Sequence, residues 1–406
     1  MRTRSLCIGA LAVLIVTTCA AVGAQPGESR VIAVGDIHGA HDRFLALLQR
    51  VGVVDARSRW NGGRTVFVQT GDYLDRGRDV RAVMNLLIQM EHDAPATGGR
   101  VEILLGNHET MNLMMNVRDV TPEIFETFAS SASTARLDSA YDDYAAYAKR
   151  RSEAIGRPLP GLLTRDAWLE SRPVGFVEYV EALGPDGSYG QWIRSQPVAV
   201  VIDETVFLHG GLSPENDAAS VDEMNDRVAN EIANFDRNRA HLIDHDVILP
   251  LSTFPEILTA VALELQAWTI RLSPGPPAPN ASPLSLTSDE RLHLEVLFDM
   301  QTLSSWSVID ENGPLWSRSF AQWSDEEGEA IVPNLLDRFR VKRAVVGHTV
   351  TTSRRIEPRF DDRVFLIDTG MLNEAYQGLA SAVEISESGA AAVYMDGRRP
   401  LTDKNP

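Results

Sequence analysis

A chain of 406 residues, 44% hydrophobic and 23% charged, has the balance of a globular protein with one large core and room for insertions, which excludes a disordered or collagen-like polymer. Its 56 acidic side chains outnumber 38 basic ones, for a formal net charge of -18. Such a field disfavours duplex nucleic acid, whose binding rests on Lys and Arg neutralising phosphates.

The N-terminus reads in three parts: Arg2 and Arg4, an apolar run from Leu6 to Val16, then small residues ending at Val22, Gly23 and Ala24. This is the layout of a secretory signal peptide, residues 1–24, ahead of a single domain over residues 25–400. A membrane anchor is disfavoured because Thr17, Thr18 and Cys19 interrupt the run before the roughly 20 residues that span a bilayer. Lipid attachment at Cys19 is disfavoured by the bulk of Thr18 before it. Cleavage predicts a periplasmic or secreted protein with no stable membrane insertion. It also removes Arg2, Arg4, Cys7 and Cys19, taking the net charge to -20 and leaving no thiol for a disulfide.

Residues 31–110 repeat an apolar run, a Gly-containing turn and an amphipathic stretch, which is an α/β signature. The runs Val31 to Val34, Thr65 to Thr70 and Val101 to Leu105 predict buried strands. Phe44, Leu47, Leu48 and Val51, and again Val80, Val83, Met84 and Leu87, follow helical spacing and predict helices packed on a sheet. Residues 111–197, rich in Ala, Arg, Glu and Tyr, predict a helical insertion.

Strand-like runs return at Val198 to Ile202, Val206 to Leu208, Ala344 to Val346, Val364 to Ile367 and Ala391 to Tyr394. A second insertion falls at about 215–335, and its Pro-rich stretch from Ser273 to Pro283 predicts an exposed loop.

Five patches follow strand ends, the edge of an open α/β sheet where ligands bind. They are Gly35-Asp36-Ile37-His38-Gly39, Gly71-Asp72-Tyr73-Leu74-Asp75-Arg76-Gly77, Gly106-Asn107-His108-Glu109, His209-Gly210-Gly211-Leu212 and Gly347-His348-Thr349. Each alone reads as an ordinary turn, and in the second Asp75 and Asp79 suit a capped helix start. Together they change the odds, since four of the nine histidines sit in glycine-flanked turns after strands. Asp, His and Asn donors without cysteine favour Mn, Fe or Zn, and their number fits two divalent ions clamping a phosphoryl group.

In this order the patches resemble the phosphoprotein phosphatase family of calcineurin-like metallophosphoesterases, from about Val31 to Met371. The extensions Thr110-Met111-Asn112-Leu113, Gly313-Pro314-Leu315-Trp316 and Ile367-Asp368-Thr369-Gly370-Met371 are similar to its bacterial-type branch, the Shewanella-like protein phosphatases. The resemblance implies a metallophosphatase fold: a central β-sandwich flanked by helices, with the two insertions outside the shared core.

It also implies one ion held by Asp36, His38 and Asp72 and a second by Asp72, Asn107, His209 and His348, with Asp72 bridging. His108 becomes the proton donor to the leaving oxygen, oriented by Asp75, and the nucleophile a metal-bridging hydroxide. Arg76 grips phosphate together with Asn107, and Arg318 is the candidate for a second phosphate arginine.

The expected substrate is a phosphorylated protein, at tyrosine or at serine and threonine, or a small phosphomonoester. Hydrolysis of a nucleotide anhydride, as in diadenosine tetraphosphatases, is the enzymatic alternative; Glu109 stands where those have Asp. An inactive binding module of the cell envelope is the alternative of another class. The His108 to His209 spacing exceeds that of the eukaryotic Ser/Thr enzymes, whose substrates and regulatory subunits are therefore not carried over.

Overall fold

A computed structural model describes residues 30–272 and 285–402. The expected signal peptide and the Pro-rich stretch from Ser273 to Pro283 lie outside the described residues.

The strands are β1 (Val31–Val34), β2 (Val66–Gln69), β3 (Arg100–Ile103), β4 (Ala199–Ile202), β5 (Thr205–Leu208), β6 (Arg343–Val346), β7 (Glu357–Arg359), β8 (Val364–Leu366), β9 (Ser381–Ser386), β10 (Gly389–Tyr394) and β11 (Gly397–Pro400). They form two sheets, one in the order β11-β10-β9-β1-β2-β3 and the other β4-β5-β6-β8-β7. Pairing is parallel for β1 with β2, β2 with β3, β5 with β6 and β6 with β8. The flanking pairs are antiparallel.

Alternation along each strand divides the core in two, because successive side chains point to opposite faces. Val31 and Ala33 of β1, Val68 of β2, Phe207 of β5, Val345 of β6 and Phe365 of β8 share one buried cluster that fills the space between the sheets. Their neighbours Ile32, Val34, Phe67, Val206, Leu208, Ala344 and Val346 face the other way, into a cluster with helix residues Phe44, Leu47, Val83 and Leu87. The architecture is therefore α/β, a central sandwich flanked by helices.

The two helices expected in the first half span His41–Arg50 and Val80–Asp93. Between β3 and β4 run helices Asn107–Leu113, Pro122–Glu126, Ser133–Ile155, Arg165–Glu170, Phe176–Leu183 and Ser188–Arg194. Between β5 and β6 run Val221–Asp244, Phe254–Leu272, Ser288–Gln301, Ser319–Gln322 and Asp325–Arg338. The last passes the expected boundary at 335, since a Ser324/Glu327 capping box starts it late and buried Leu335 and Leu336 keep it on the core. Asp79 occupies the N-cap of the Val80–Asp93 helix but its side chain makes no capping hydrogen bond, and Asp75 turns away to another partner. The capped-start reading holds for the position of Asp79 and fails for Asp75.

Candidate metal centre

Asp36 and His38 follow β1; Asp72, Asp75 and Arg76 follow β2; Asn107 and His108 follow β3. His209 follows β5 and His348 follows β6. The turns thus leave two different sheets and meet at the carboxyl ends of their parallel strands. Apart from Arg76, all of these side chains are buried. His38, Asp72, Asp75, Arg76 and His348 hold φ between 47° and 67°, a region that costs a non-glycine residue about 1–2 kcal/mol. Such strain survives only where surroundings enforce it.

The centre of the constellation is Asp72 Oδ2. It lies 3.3 Å from His209 Nε2, 3.7 Å from His38 Nε2 and 3.8 Å from His108 Nε2. On one side, Asp36 Oδ2 is 3.9 Å from His38 Nε2. On the other, His209 Nε2 is 2.9 Å from Asn107 Oδ1 and 3.1 Å from His348 Nδ1. The six residues assigned to two ions from the sequence are thereby brought together, with Asp72 shared between the two groups. Close approach is enforced by glycine: a Cβ on Gly106 would collide with Asp72 Oδ1.

Whether ions fit is a question of donor chemistry. Nδ1 of His38 faces the Leu74 carbonyl at 2.8 Å, Nδ1 of His209 the Thr70 carbonyl at 2.9 Å, and Nε2 of His348 the Trp316 carbonyl at 3.1 Å. A carbonyl only accepts, so each ring carries its proton there and turns its lone pair to the centre, the usual arrangement behind metal-bound histidine. Burial lowers the pKa of His38 to about 3 and puts that of His348 well below the ordinary value, so both remain neutral donors. Burial, followed by Asp368 and Asp72, raises the carboxyl of Asp36, and burial raises Asp368 to about 6. Buried carboxylates in this number call for counter-charge, which divalent cations supply. The residues fit a pair of ions.

His108 behaves differently. It also lies close to His38 and Asp72, in a trio compact enough for a metal. However, its pKa is raised to about 9, because Asp72 and Asp75 together outweigh the opposing effect of burial. Its Nδ1 is 2.6 Å from Asp75 Oδ2, and the Nε2 edge faces the centre. Its Nδ1 edge is thus committed to Asp75, and its Nε2 edge stands beside Arg76 and the two groups of lone-pair donors.

Arg76 is half-buried at the mouth, with Nη1 at 3.1 Å from His38 Nε2 and Nη2 at 3.1 Å from His108 Nε2. Arg318 is exposed, and its Nη1 donates to the His348 carbonyl at 3.1 Å and to Thr349 Oγ1 at 3.0 Å. It sits on the rim of the site with its guanidinium engaged by protein. A groove of about 910 Å³ opens beside Arg76 and is lined by Arg43, Arg78 and Arg118 together with Asp42, Asp79, Asp119, Glu123 and Glu374.

Three further buried residues, to which spacing and motif assign no role, support the centre. Glu109 accepts the backbone N–H groups of Asp72, Gly106, Tyr73 and Leu74 at 2.8 to 3.0 Å, which fixes the strained turn after β2. Asn112 donates to Asp75 Oδ1 at 2.8 Å and to the His108 carbonyl at 2.9 Å, and accepts from Tyr179 OH at 2.7 Å. Through it the first insertion supports the Asp75–His108 pair. Asp368 accepts the Gly370 N–H at 2.9 Å and lies against Asp36. All three stand inside patches already noticed; what was missing was the direction of each side chain.

The calcineurin-like phosphoesterase family profile matches residues 29–351. Shewanella-like protein phosphatase 2 of Arabidopsis thaliana is 32% identical over 213 residues, 52% of this chain and 53% of that one, so the match spans about half the length of that relative. Shewanella-like protein phosphatase 1 of Plasmodium berghei is 22% identical over 85% of this chain and 67% of its own. Among solved structures, the cold-active protein-tyrosine phosphatase of a psychrophilic Shewanella species superposes with a TM-score of 0.56 at 22% identity. That alignment covers 93% of this chain and 81% of the other and shows the shared metallophosphatase fold.

Proposed function

The chain belongs to the calcineurin-like phosphoesterases, a family of metal-dependent phosphoester hydrolases, and on that footing we propose that it is an exported phosphatase acting on phosphate monoesters, with phosphorylated protein as its substrate class. The observation that carries this reading is Asp72 Oδ2, placed 3.7 Å from His38 Nε2 and 3.3 Å from His209 Nε2 between two sets of buried donors.

One ion would be held by Asp36, His38 and Asp72, the other by Asp72, Asn107, His209 and His348. When bound, the pair supplies activation of water near neutral pH and neutralisation of phosphoryl charge. The protein's own groups do the rest. Arg76 offers a guanidinium fork to the phosphate oxygens. Asp75 holds the Nδ1 proton of His108, so Nε2 delivers the second proton to the departing alkoxide or phenoxide as the ester P–O bond breaks. The attacking water supplies the new P–O bond, and no covalent phosphoenzyme is required.

The groove beside Arg76, lined by arginines and carboxylates alike, gives room for a substrate extending beyond the phosphate, as a peptide does. Serine, threonine and tyrosine phosphates all remain within this reading. The leader-like residues 1–24 support export to the periplasm or beyond; N-terminal sequencing of the mature protein tests that. For the activity, metal-depleted enzyme is supplied with Mn, Fe or Zn and offered para-nitrophenyl phosphate, phosphotyrosine and phosphoserine peptides, and diadenosine tetraphosphate. Metal-dependent turnover of the peptides is expected. Preferential cleavage of the anhydride would overturn it.

A further inference from the structure

Five histidines lie outside the strand-end turns, and three of them meet in the second helical insertion. His241 and His245 stand four residues apart at the C-terminal end of the Val221–Asp244 helix, so both project from one face. His293 comes from Ser288–Gln301, a helix packed against the first. His241 Nε2 is 3.0 Å from His293 Nδ1, and the His245 ring centroid lies 4.1 Å from that of His241 and 5.0 Å from that of His293. One ring nitrogen from each falls within 4.8 Å of the other two.

The surroundings prepare these nitrogens as donors. Buried His293 turns Nε2 toward Glu264 Oε1 at 3.8 Å, and Arg151 holds that carboxylate at 2.7 Å. At 3.8 Å the carboxylate is an electrostatic neighbour rather than a hydrogen-bond acceptor, and it favours the tautomer with the proton on Nε2 and the Nδ1 lone pair directed at His241. A carboxylate behind a histidine is the support that metal-bound imidazoles commonly have. Glu264 is held down to about 2, first by His293 and then by Arg151, against the pull of burial. The pKa of His241 is lowered by burial and then by the neighbouring His245 and His293, which keeps its ring neutral. A hydrogen bond between two neutral rings would account for His241 and His293 alone. It would not account for a third imidazole facing them.

We propose that His241, His245 and His293 form a further divalent-cation site, separate from the catalytic centre, which takes Zn2+ as a structural tie between two helices. Three imidazoles without a thiolate suit Zn2+, whose structural sites are closed by a fourth ligand. The Asp289 carboxylate, 3.8 Å from His245 Nε2 on the exposed side, can supply that ligand. None of the three helices involved carries a residue of the catalytic centre, so the tie and the hydrolysis are separable by mutation.

The test loads the intact protein with Mn2+, adds Zn2+, and reads Zn per chain by elemental analysis together with the thermal midpoint. Wild type, His245→Ala and Glu264→Gln are compared, so any Zn2+ taken up by the catalytic centre is common to all. Wild type should hold one Zn2+ more than His245→Ala and gain in midpoint on Zn2+ addition, a gain the variant lacks. Glu264→Gln should weaken Zn2+ binding about 10- to 100-fold. Para-nitrophenyl phosphate turnover with Mn2+ should stay the same in all three. His245 is exposed, so its replacement leaves the packing intact, and an unchanged midpoint without Zn2+ checks this. Equal Zn2+ content and equal midpoint response in wild type and His245→Ala would overturn the proposal.

Discussion

Asp75 Oδ2 and His108 Nδ1 stand 2.6 Å apart with both side chains buried, so one edge of the imidazole is committed to the carboxylate and the other faces Asp72. Replacing His108 by Asn should lower kcat by about two to four orders of magnitude. Phosphoserine peptide, with the poorer leaving group, should suffer more than para-nitrophenyl phosphate. An equal loss on both would remove His108 from the role of acid.

The same pair sets a pH dependence. Asp75, hydrogen-bonded at Nδ1, favours the protonated imidazole, and the proposed acid works in that form, so an alkaline limb is expected where His108 loses its proton. Asp75→Asn removes this carboxylate and should move the alkaline limb to lower pH. Profiles of kcat against pH for the two proteins check the direction; an unmoved limb would assign it to another group.

Because Asp72 faces both groups of donors, Asp72→Asn should weaken retention of both ions, whereas His38→Ala should chiefly affect one. Metal content after dialysis against a weak chelator distinguishes them. Matching losses in the two variants would argue against a shared carboxylate.

Gly106→Ala places a methyl group against Asp72 Oδ1 and the Asp72 backbone nitrogen. Relief requires the carboxylate to move, at a cost of about 1–3 kcal/mol. A lower thermal midpoint and loss of metal from both positions are expected. Full metal retention would show that the turn yields without disturbing Asp72.

Glu264 contributes stability with a defined pH signature. Its folded pKa, about 2, lies below the ordinary value of 4.5, so its contribution is complete above pH 4.5 and is lost as pH falls toward 2. After discounting for solvent screening this is on the order of 1 kcal/mol. Glu264→Gln should flatten the acid limb of a denaturation profile in that window, measured by chemical unfolding at stepped pH.

Much of the scaffold was legible because its strands are short, apolar and followed by glycine. Val31 to Val34 was read with its observed boundaries, and Thr65 to Thr70 enclosed β2. Glu357–Arg359 and Gly397–Pro400 were not read, since Glu-Pro-Arg and Gly-Arg-Arg-Pro carry no apolar alternation and gain their strand character from pairing with β8 and β10. Ser381–Ser386 gives no clear strand signal although Ala382 and Val383 are buried, because polar residues at either end hide so short a pattern.

At the centre, residue types and spacing pointed to Asp36, His38, Asp72, Asn107, His209 and His348. What they could not disclose was support. In sequence Glu109 is only a residue standing where a relative has Asp, yet it accepts four backbone N–H groups around Asp72. The histidine trio was equally invisible: 48 residues of chain separate His245 from His293, and only helix packing brings them together.

Three of the ligand-bearing turns leave one sheet and two leave the other. A shift of either layer over the apolar seam between them, where Phe207 and Val345 meet Val31 and Val68, would spoil both halves of the cage at once. Repacking that seam should therefore produce molecules that are either fully competent or inert, with few intermediates, and damage lodged far from any reacting atom should read in an assay as missing enzyme.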